Sequence, residues 1–181
     1  MSDPTTDGDG PRTDATPEGR RQGGTYRLLF VCSGNTCRSP MAEAITRDIL
    51  RTRGWEGFEV RSAGAGAFPG SPPSGGAVRA AAARGIDLAD HRATLLTRRE
   101  VEWADLILTM SRSHLMRVSD LGGGGRAALL PAYAEGRETA AETEGIPDPV
   151  GSSDREYDKT YERLEELVEK VLLRLEPEAR R

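Results

Sequence analysis

The run Leu28-Leu29-Phe30-Val31-Cys32-Ser33-Gly34-Asn35-Thr36-Cys37-Arg38-Ser39-Pro40 constrains this chain more than any other stretch. An apolar segment passes into a tight polar loop, and the loop passes into a sequence that opens a helix. A cysteine where a strand feeds a helix N-terminus sits among unsatisfied N–H groups at the positive end of a helix dipole, and both favour a thiolate. The same N–H groups bind phosphate oxygens. Gly34 lets the backbone turn and approach an anion without a side chain in the way. Asn35 tolerates the left-handed conformation that most residues avoid. Arg38, six positions after Cys32, supplies a planar fork matched to two phosphate oxygens. Ser39 can donate a hydrogen bond to the Cys32 sulfur. Pro40 fits a first helical turn, where its missing N–H costs nothing. A buried structural cysteine before an ordinary turn is the competing reading. A bare Cys-x5-Arg spacing would not exclude it; the strand before, Gly-Asn within and Arg-Ser-Pro after make the pattern specific.

Cys32 to Ala44, CSGNTCRSPMAEA, resembles the phosphate-binding loop of the low-molecular-weight protein tyrosine phosphatases. Later segments match in the family's order: Val60-Arg61-Ser62-Ala63-Gly64; Gly85-Ile86-Asp87-Leu88 with His91-Arg92; Ala104 to Met110; and Ile146-Pro147-Asp148-Pro149. The resemblance spans roughly residues 26–175. It implies the four-stranded version of an α/β three-layer sandwich, with the phosphate loop between the first strand and the first helix.

The chain has 181 residues and a formal net charge of −4, enough for one domain with a proper core. That charge does not mark a nucleic-acid or anionic-membrane binder. No apolar run is long enough to span a bilayer, and the N-terminus carries no apolar signal core. A cytoplasmic protein is therefore expected, as a monomer acting on phosphorylated proteins. Its two cysteines, Cys32 and Cys37, make no disulfide framework. With His91 and His114 they form a poor zinc set, because the spacing is unusual and Arg38 repels a cation. No metal or cofactor is expected. Cys37 lies close enough in sequence to trap an oxidised Cys32 as a disulfide, and the resemblance implies the same role; packing under the loop is the plainer reading.

Residues 1–25 read as a disordered tail by composition. Residues 26–176 read as the phosphatase domain, and 177–181 as a frayed end. Strands are expected at Tyr26–Val31, Phe58–Ser62, Ala104–Met110 and Ala127–Leu130. Helices are expected at Pro40–Arg53, Ala77–Arg84, from a Ser111 cap through Val118, and at Asp154–Leu175. The last helix presents Tyr161, Leu164, Leu167, Val168, Val171 and Leu172 on one face, with Glu165 and Glu169 on the solvated side. Ala63–Gly76, the glycine run within Leu121–Gly125 and Pro131–Gly145 read as loops, the glycine run as a flexible connection. Alternating strands and helices imply a parallel sheet covered on both faces. Right-handed crossovers then put the Cys32 loop at the carboxyl end of the first strand, where open α/β sheets bind ligands.

A phosphocysteine route needs a proton donor from outside the loop. Asp148, restrained by Pro147 and Pro149, is the best candidate, and in the family the Asp of this Asp-Pro pair is the general acid. The expected catalytic set is Cys32 as nucleophile, Arg38 and Asp148. The amides and side chains of Ser33, Gly34, Asn35, Thr36, Cys37, Arg38 and Ser39 bind the phosphoryl group. The resemblance implies that His91 bonds to Asn35 and holds it in its strained conformation. His114 reads as a surface residue of a short helix, and Asp105 as structural.

Thr36 stands where many phosphotyrosine enzymes of the family carry a bulkier aliphatic residue, and threonine there resembles the branch that removes phosphate from arginine. Val150-Gly151 after Asp148-Pro149 lacks the aromatic residues of typical tyrosine phosphatases; an aromatic before the glycine, which the arginine branch tends to have, is missing too. Phosphotyrosine leads as the family default, with phosphoarginine nearly equal. Arsenate reduction is disfavoured because no further cysteine relays the disulfide. A non-catalytic phosphate-binding module would not need both Cys32 and Asp148.

Overall fold

The computed structural model describes residues 24–137 and 144–179. The expected tail lies outside the described residues up to position 23, as do 138–143 of the expected 131–145 loop and the last two of the expected frayed end.

Four strands, β1 (Tyr26–Cys32), β2 (Phe58–Gly64), β3 (Leu106–Thr109) and β4 (Ala127–Leu129), form an all-parallel sheet in the order β2-β1-β3-β4. Among the described residues six α-helices cover it: α1 (Arg38–Arg53), α2 (Gly75–Ala82), α3 (Arg98–Trp103), α4 (Arg112–Asp120), α5 (Leu130–Ala134) and α6 (Asp154–Ala179). A parallel sheet needs apolar cover on both faces, and the alternation of β1 supplies both. Leu28, Phe30 and Cys32 join Met41 and Ile45 of α1 and Leu164 and Val168 of α6 in the larger core. Leu29 and Val31 face the other way, onto Val101 of α3 and Val118 of α4. The result is the expected three-layer sandwich.

β1 is central. It pairs with β2 from Tyr26↔Phe58 to Cys32↔Gly64 and with β3 from Leu28↔Leu106 to Val31↔Thr109. The chain leaves β1 at the point where neighbouring strands diverge to either side, so the loop after Cys32 opens at the switch point of the sheet.

Several element bounds differ from the sequence reading. β2 takes in Ala63 and Gly64, because both pair with the end of β1. α1 starts at Arg38, two residues before Pro40, so the arginine projects from the first turn. α2 begins at Gly75, and a Cβ on Gly76 would lie 2.3 Å from the Tyr157 ring of α6, so glycine permits that close helix contact. β3 is shorter than expected: Asp105 lies before it, where its carboxylate accepts the Arg27 amide at 2.8 Å, a structural role as expected. α3 was not expected; a Thr97–Glu100 capping box starts it. α4 runs on to Asp120. The glycine run is not simply a flexible connection. Gly124–Arg126 forms a 3-10 turn, and a Cβ on Gly123 would meet methyls of Val101 and Val118 at 2.7 Å. α5 occupies part of the segment read as loop, with Pro131 in its first turn. α6 continues past Leu175 to Ala179, so the described part of the expected frayed end is helical.

Candidate active site

Between β1 and α1 the backbone curls into a cradle whose carbonyls are bonded outward. Cys32 O accepts from Ala65 N at 2.8 Å, Ser33 O from Gly66 N at 2.9 Å, Thr36 O from Ser74 N at 2.8 Å and Cys37 O from Met41 N at 3.1 Å. Asn35 O accepts from His91 Nε2 at 2.8 Å. In a planar trans peptide the N–H points opposite to the C=O. The amides of Ser33, Gly34, Thr36, Cys37 and Arg38 are therefore turned inward, where an oxyanion collects them.

Asn35 is the pivot of the cradle. It is fully buried and holds a backbone φ of 54°. Its amide donates to the Ser39 and Ser62 hydroxyls, both at 2.9 Å, and its Oδ1 accepts from Thr94 N at 2.8 Å. Ser62 in turn donates to Glu43 at 2.5 Å. His91 meets the asparagine at its backbone carbonyl. Gly64 at the end of β2 lets the loop lie close: a Cβ there would sit 2.6 Å from Ser33 O and 2.8 Å from Asn35 N.

The Cys32 sulfur lies at the base of the cradle, 2.9 Å from Ser39 Oγ. Ser39 Oγ accepts from Asn35, and its proton can go to the sulfur or to the more distant Ala63 O at 3.5 Å. Arg38 is buried, and three acceptors fix its guanidinium. Nη1 donates to Ile146 O at 2.9 Å; Nη2 donates to Asp148 Oδ2 at 2.9 Å and to Ser33 Oγ at 3.3 Å. Its Nε is buried with no hydrogen-bond partner. A buried donor left unpaired is costly, and an oxyanion in the cradle would satisfy it.

Asp148 comes from the 144–153 segment, which the sheet carries to the site through Ile146 N donating to Met110 O at 2.8 Å. Its side chain is 42% exposed, so one edge of the carboxylate reaches solvent while the other faces Arg38. Oδ1 also accepts from Val150 N at 3.1 Å and from the Cys37 thiol at 3.5 Å. Burial, and then the charge of Asp148, push the Cys37 thiol up to about 12. At neutral pH Cys37 is a protonated donor.

His114 corrects the sequence reading. It is buried, not on the surface, and bridges Ser111 Oγ through Nδ1 and Ser33 Oγ through Nε2, each at 2.9 Å. Ser111 caps α4 and accepts the His114 amide, which turns the first turn of the helix inward. The i, i+4 spacing of His114 and Val118, both buried, was the available signal. Burial first, and then the nearby Arg38 charge, push the imidazole down to about 4, so it is neutral at physiological pH.

At the mouth, Thr36 is half-buried, and its hydroxyl would touch a Cβ on Gly34 at 3.5 Å, so it leans back over the loop. Val150 beside Asp148 is exposed, and Phe68 is 83% exposed on the loop whose Ala65 and Gly66 amides clamp the cradle. Phe68 was not singled out from the sequence. Among the described residues no three His, Cys, Asp or Glu side chains group to hold a metal ion, and no helix is long and apolar enough to cross a membrane.

A family model described as low molecular weight phosphotyrosine protein phosphatase matches residues 27–181. The protein-arginine-phosphatase of Bacillus subtilis (strain 168) is 36% identical over 155 residues, which cover 84% of this chain and 99% of that protein. YwlE arginine phosphatase from Geobacillus stearothermophilus superposes with a TM-score of 0.75 at 32% identity, covering 84% of this chain and 94% of that one. A low molecular weight protein tyrosine phosphatase from T. tengcongensis superposes with a TM-score of 0.75 at 37% identity, over 83% and 100% of the two chains. Relatives of both substrate classes thus share nearly the whole domain. Cradle, fold and matches agree, and the chain belongs to the low molecular weight phosphotyrosine protein phosphatase family.

Proposed function

We propose that the protein removes phosphate from arginine side chains of proteins through a phosphocysteine intermediate. The observation that carries the mechanism is the convergence of Cys32, the inward amides, Arg38 and Asp148 on one cradle. The Cys32 thiolate attacks phosphorus in line, forming the S–P bond as the bond to the leaving nitrogen breaks. Asp148, protonated, delivers its proton to that nitrogen. The loop amides and Arg38 hold the equatorial oxygens as charge spreads over them. Asp148 then accepts a proton from water, whose oxygen attacks phosphorus; inorganic phosphate leaves and Cys32 departs as thiolate. Ser39 stabilises that sulfur, while Asn35 and His91 keep the cradle in shape. Cys37 is the resolving thiol should Cys32 be oxidised.

Phosphotyrosine leads on the sequence alone; the geometry of the mouth favours a guanidinium. The Thr36 hydroxyl is an acceptor at the mouth, suited to a planar cation rich in N–H donors. Val150 leaves the flank of Asp148 without a ring for a tyrosine to stack on. Similarity over 84% of this chain to proteins named as arginine phosphatases is in keeping with this reading, as the similarity to a tyrosine phosphatase is with the second. Phosphotyrosine is the second reading, favoured by the exposed ring of Phe68.

Turnover on matched phosphoarginine and phosphotyrosine peptides, with the wild type and Thr36→Ile, tests the reading. The expected result is a preference for phosphoarginine that Thr36→Ile reverses, with both activities abolished in Cys32→Ser. A preference for phosphotyrosine that Thr36→Ile leaves alone overturns it.

A further inference from the structure

We propose that His114 is a positioning residue of the cradle: through the Ser33 hydroxyl it fixes the Arg38 guanidinium. The proposal rests on the reading that Arg38 binds the phosphoryl group.

The contacts run in one direction. Arg38 can only donate, so Nη2 places its hydrogen on Ser33 Oγ, at 3.3 Å. The Ser33 proton is then directed to the next acceptor, His114 Nε2 at 2.9 Å. With Nε2 accepting, the ring proton resides on Nδ1 and faces Ser111 Oγ at 2.9 Å. The tautomer is assigned from this network. Burial keeps the imidazole neutral, so the Nε2 lone pair stays available. Ser33 is itself exposed on the loop. Among the described residues, no side chain other than His114 holds its hydroxyl toward Arg38.

The reason for such a relay lies in Asp148. Nη2 has two acceptors, the Asp148 carboxylate and Ser33. A general acid must be protonated before it acts, and a protonated carboxyl is a weaker acceptor for a cation. Ser33 is a neutral acceptor whose strength does not change with the proton on Asp148. The relay thus keeps the guanidinium in place through the part of the cycle in which the ion pair is weakened. It also ties the loop to α4, since Ser111 both receives the ring proton and caps that helix.

The test measures inorganic phosphate affinity by calorimetry, and kcat and KM on p-nitrophenyl phosphate, for the wild type, Ser33→Ala, His114→Ala, His114→Gln and the Ser33→Ala/His114→Ala double variant. The expected outcome is that His114→Ala weakens phosphate binding and kcat/KM about tenfold, as loss of one hydrogen bond to a charged group implies. The same change in the Ser33→Ala background has an effect within about twofold, because the path to Arg38 is already cut. His114→Gln, whose carbonyl can accept from Ser33, recovers much of the loss. Equal losses in both backgrounds, or a lowered Tm with phosphate affinity unchanged, overturn the proposal. Should His114→Ala not fold, Ser33→Ala and His114→Gln decide: wild-type phosphate affinity in Ser33→Ala overturns it. Turnover separates this from the phosphatase reading. A wild type that binds phosphate but does not hydrolyse the ester overturns the catalytic reading, while the phosphate affinities of the variants still judge the relay.

Discussion

Asn35 holds a backbone conformation that costs a non-glycine residue on the order of 1–3 kcal/mol. Four hydrogen bonds, from Thr94 and His91 and to Ser39 and Ser62, keep it there. That conformation turns the neighbouring amides inward, so the shape of the loop and the direction of its amides are one property. Cys37, with its pKa raised from 9.0 to about 12, is a thiol at neutral pH. A raised folded-state value means that its contribution to stability is full below pH 9.0 and is lost as pH climbs toward about 12. Iodoacetamide at neutral pH should therefore modify Cys32 first, and Cys37 only after unfolding, as read by peptide mass mapping. Native-state labelling of Cys37 ahead of Cys32 would contradict this assignment. Cys32, Arg38 and Asn35 were all legible in the sequence because their chemistry lies within one loop. The partners of Asn35 were not, since Ser62 and Thr94 reach it from other elements.

At the scale of elements, the helices around the cradle start by different means. α1 opens from the phosphate loop itself, with Cys37 at its N-cap and no capping side chain. α4 has Ser111, and α3 has the reciprocal Thr97–Glu100 box, in which Thr97 Oγ1 accepts from Arg99 N at 3.3 Å and Glu100 accepts from Thr97 N at 3.1 Å. Thr97→Ala should cost about 1 kcal/mol of stability and lower Tm without changing kcat/KM, because α3 packs on the face of the sheet away from α1. A full loss of turnover at unchanged Tm would show that α3 reaches the site in a way its contacts do not explain. The Thr-x-x-Glu signal was present in the sequence. The helix it starts is only six residues long, too short to carry an apolar period, and for that reason the periodicity passed over it. α6 was legible for the opposite reason, since its buried face repeats along most of 26 residues.

For the whole molecule, the sheet divides the work. The larger core, under α1 and α6, carries most of the buried apolar side chains, and the cradle sits at its rim. Leu164 is fully buried there. Leu164→Ala should cost about 2–5 kcal/mol, read as a lower denaturation midpoint. Its kcat/KM well below the transition should match the wild type, since α6 contributes no residue to the phosphate loop. A variant that stays stable but loses turnover would mean that the core transmits strain to the loop.

What is local was legible in the order of residues along the chain. An apolar strand, a Gly-Asn turn and an Arg-Ser-Pro helix start specify the cradle, because amide direction and helix-end electrostatics depend on neighbours along the chain. Asp148 was singled out there as the candidate acid, through two prolines that restrict its backbone. What meets the cradle from elsewhere depends on how the sheet and helices pack. Gly64 arrives through its register with Cys32, Ser62 through β2, and His114 through the inward first turn of α4 after β3. A lone histidine eighty-one positions from Ser33 has no sequence neighbour to reveal its partner. Its position against the loop follows from strand order and from the packing that buries one face of α4, which are properties of the assembled sheet.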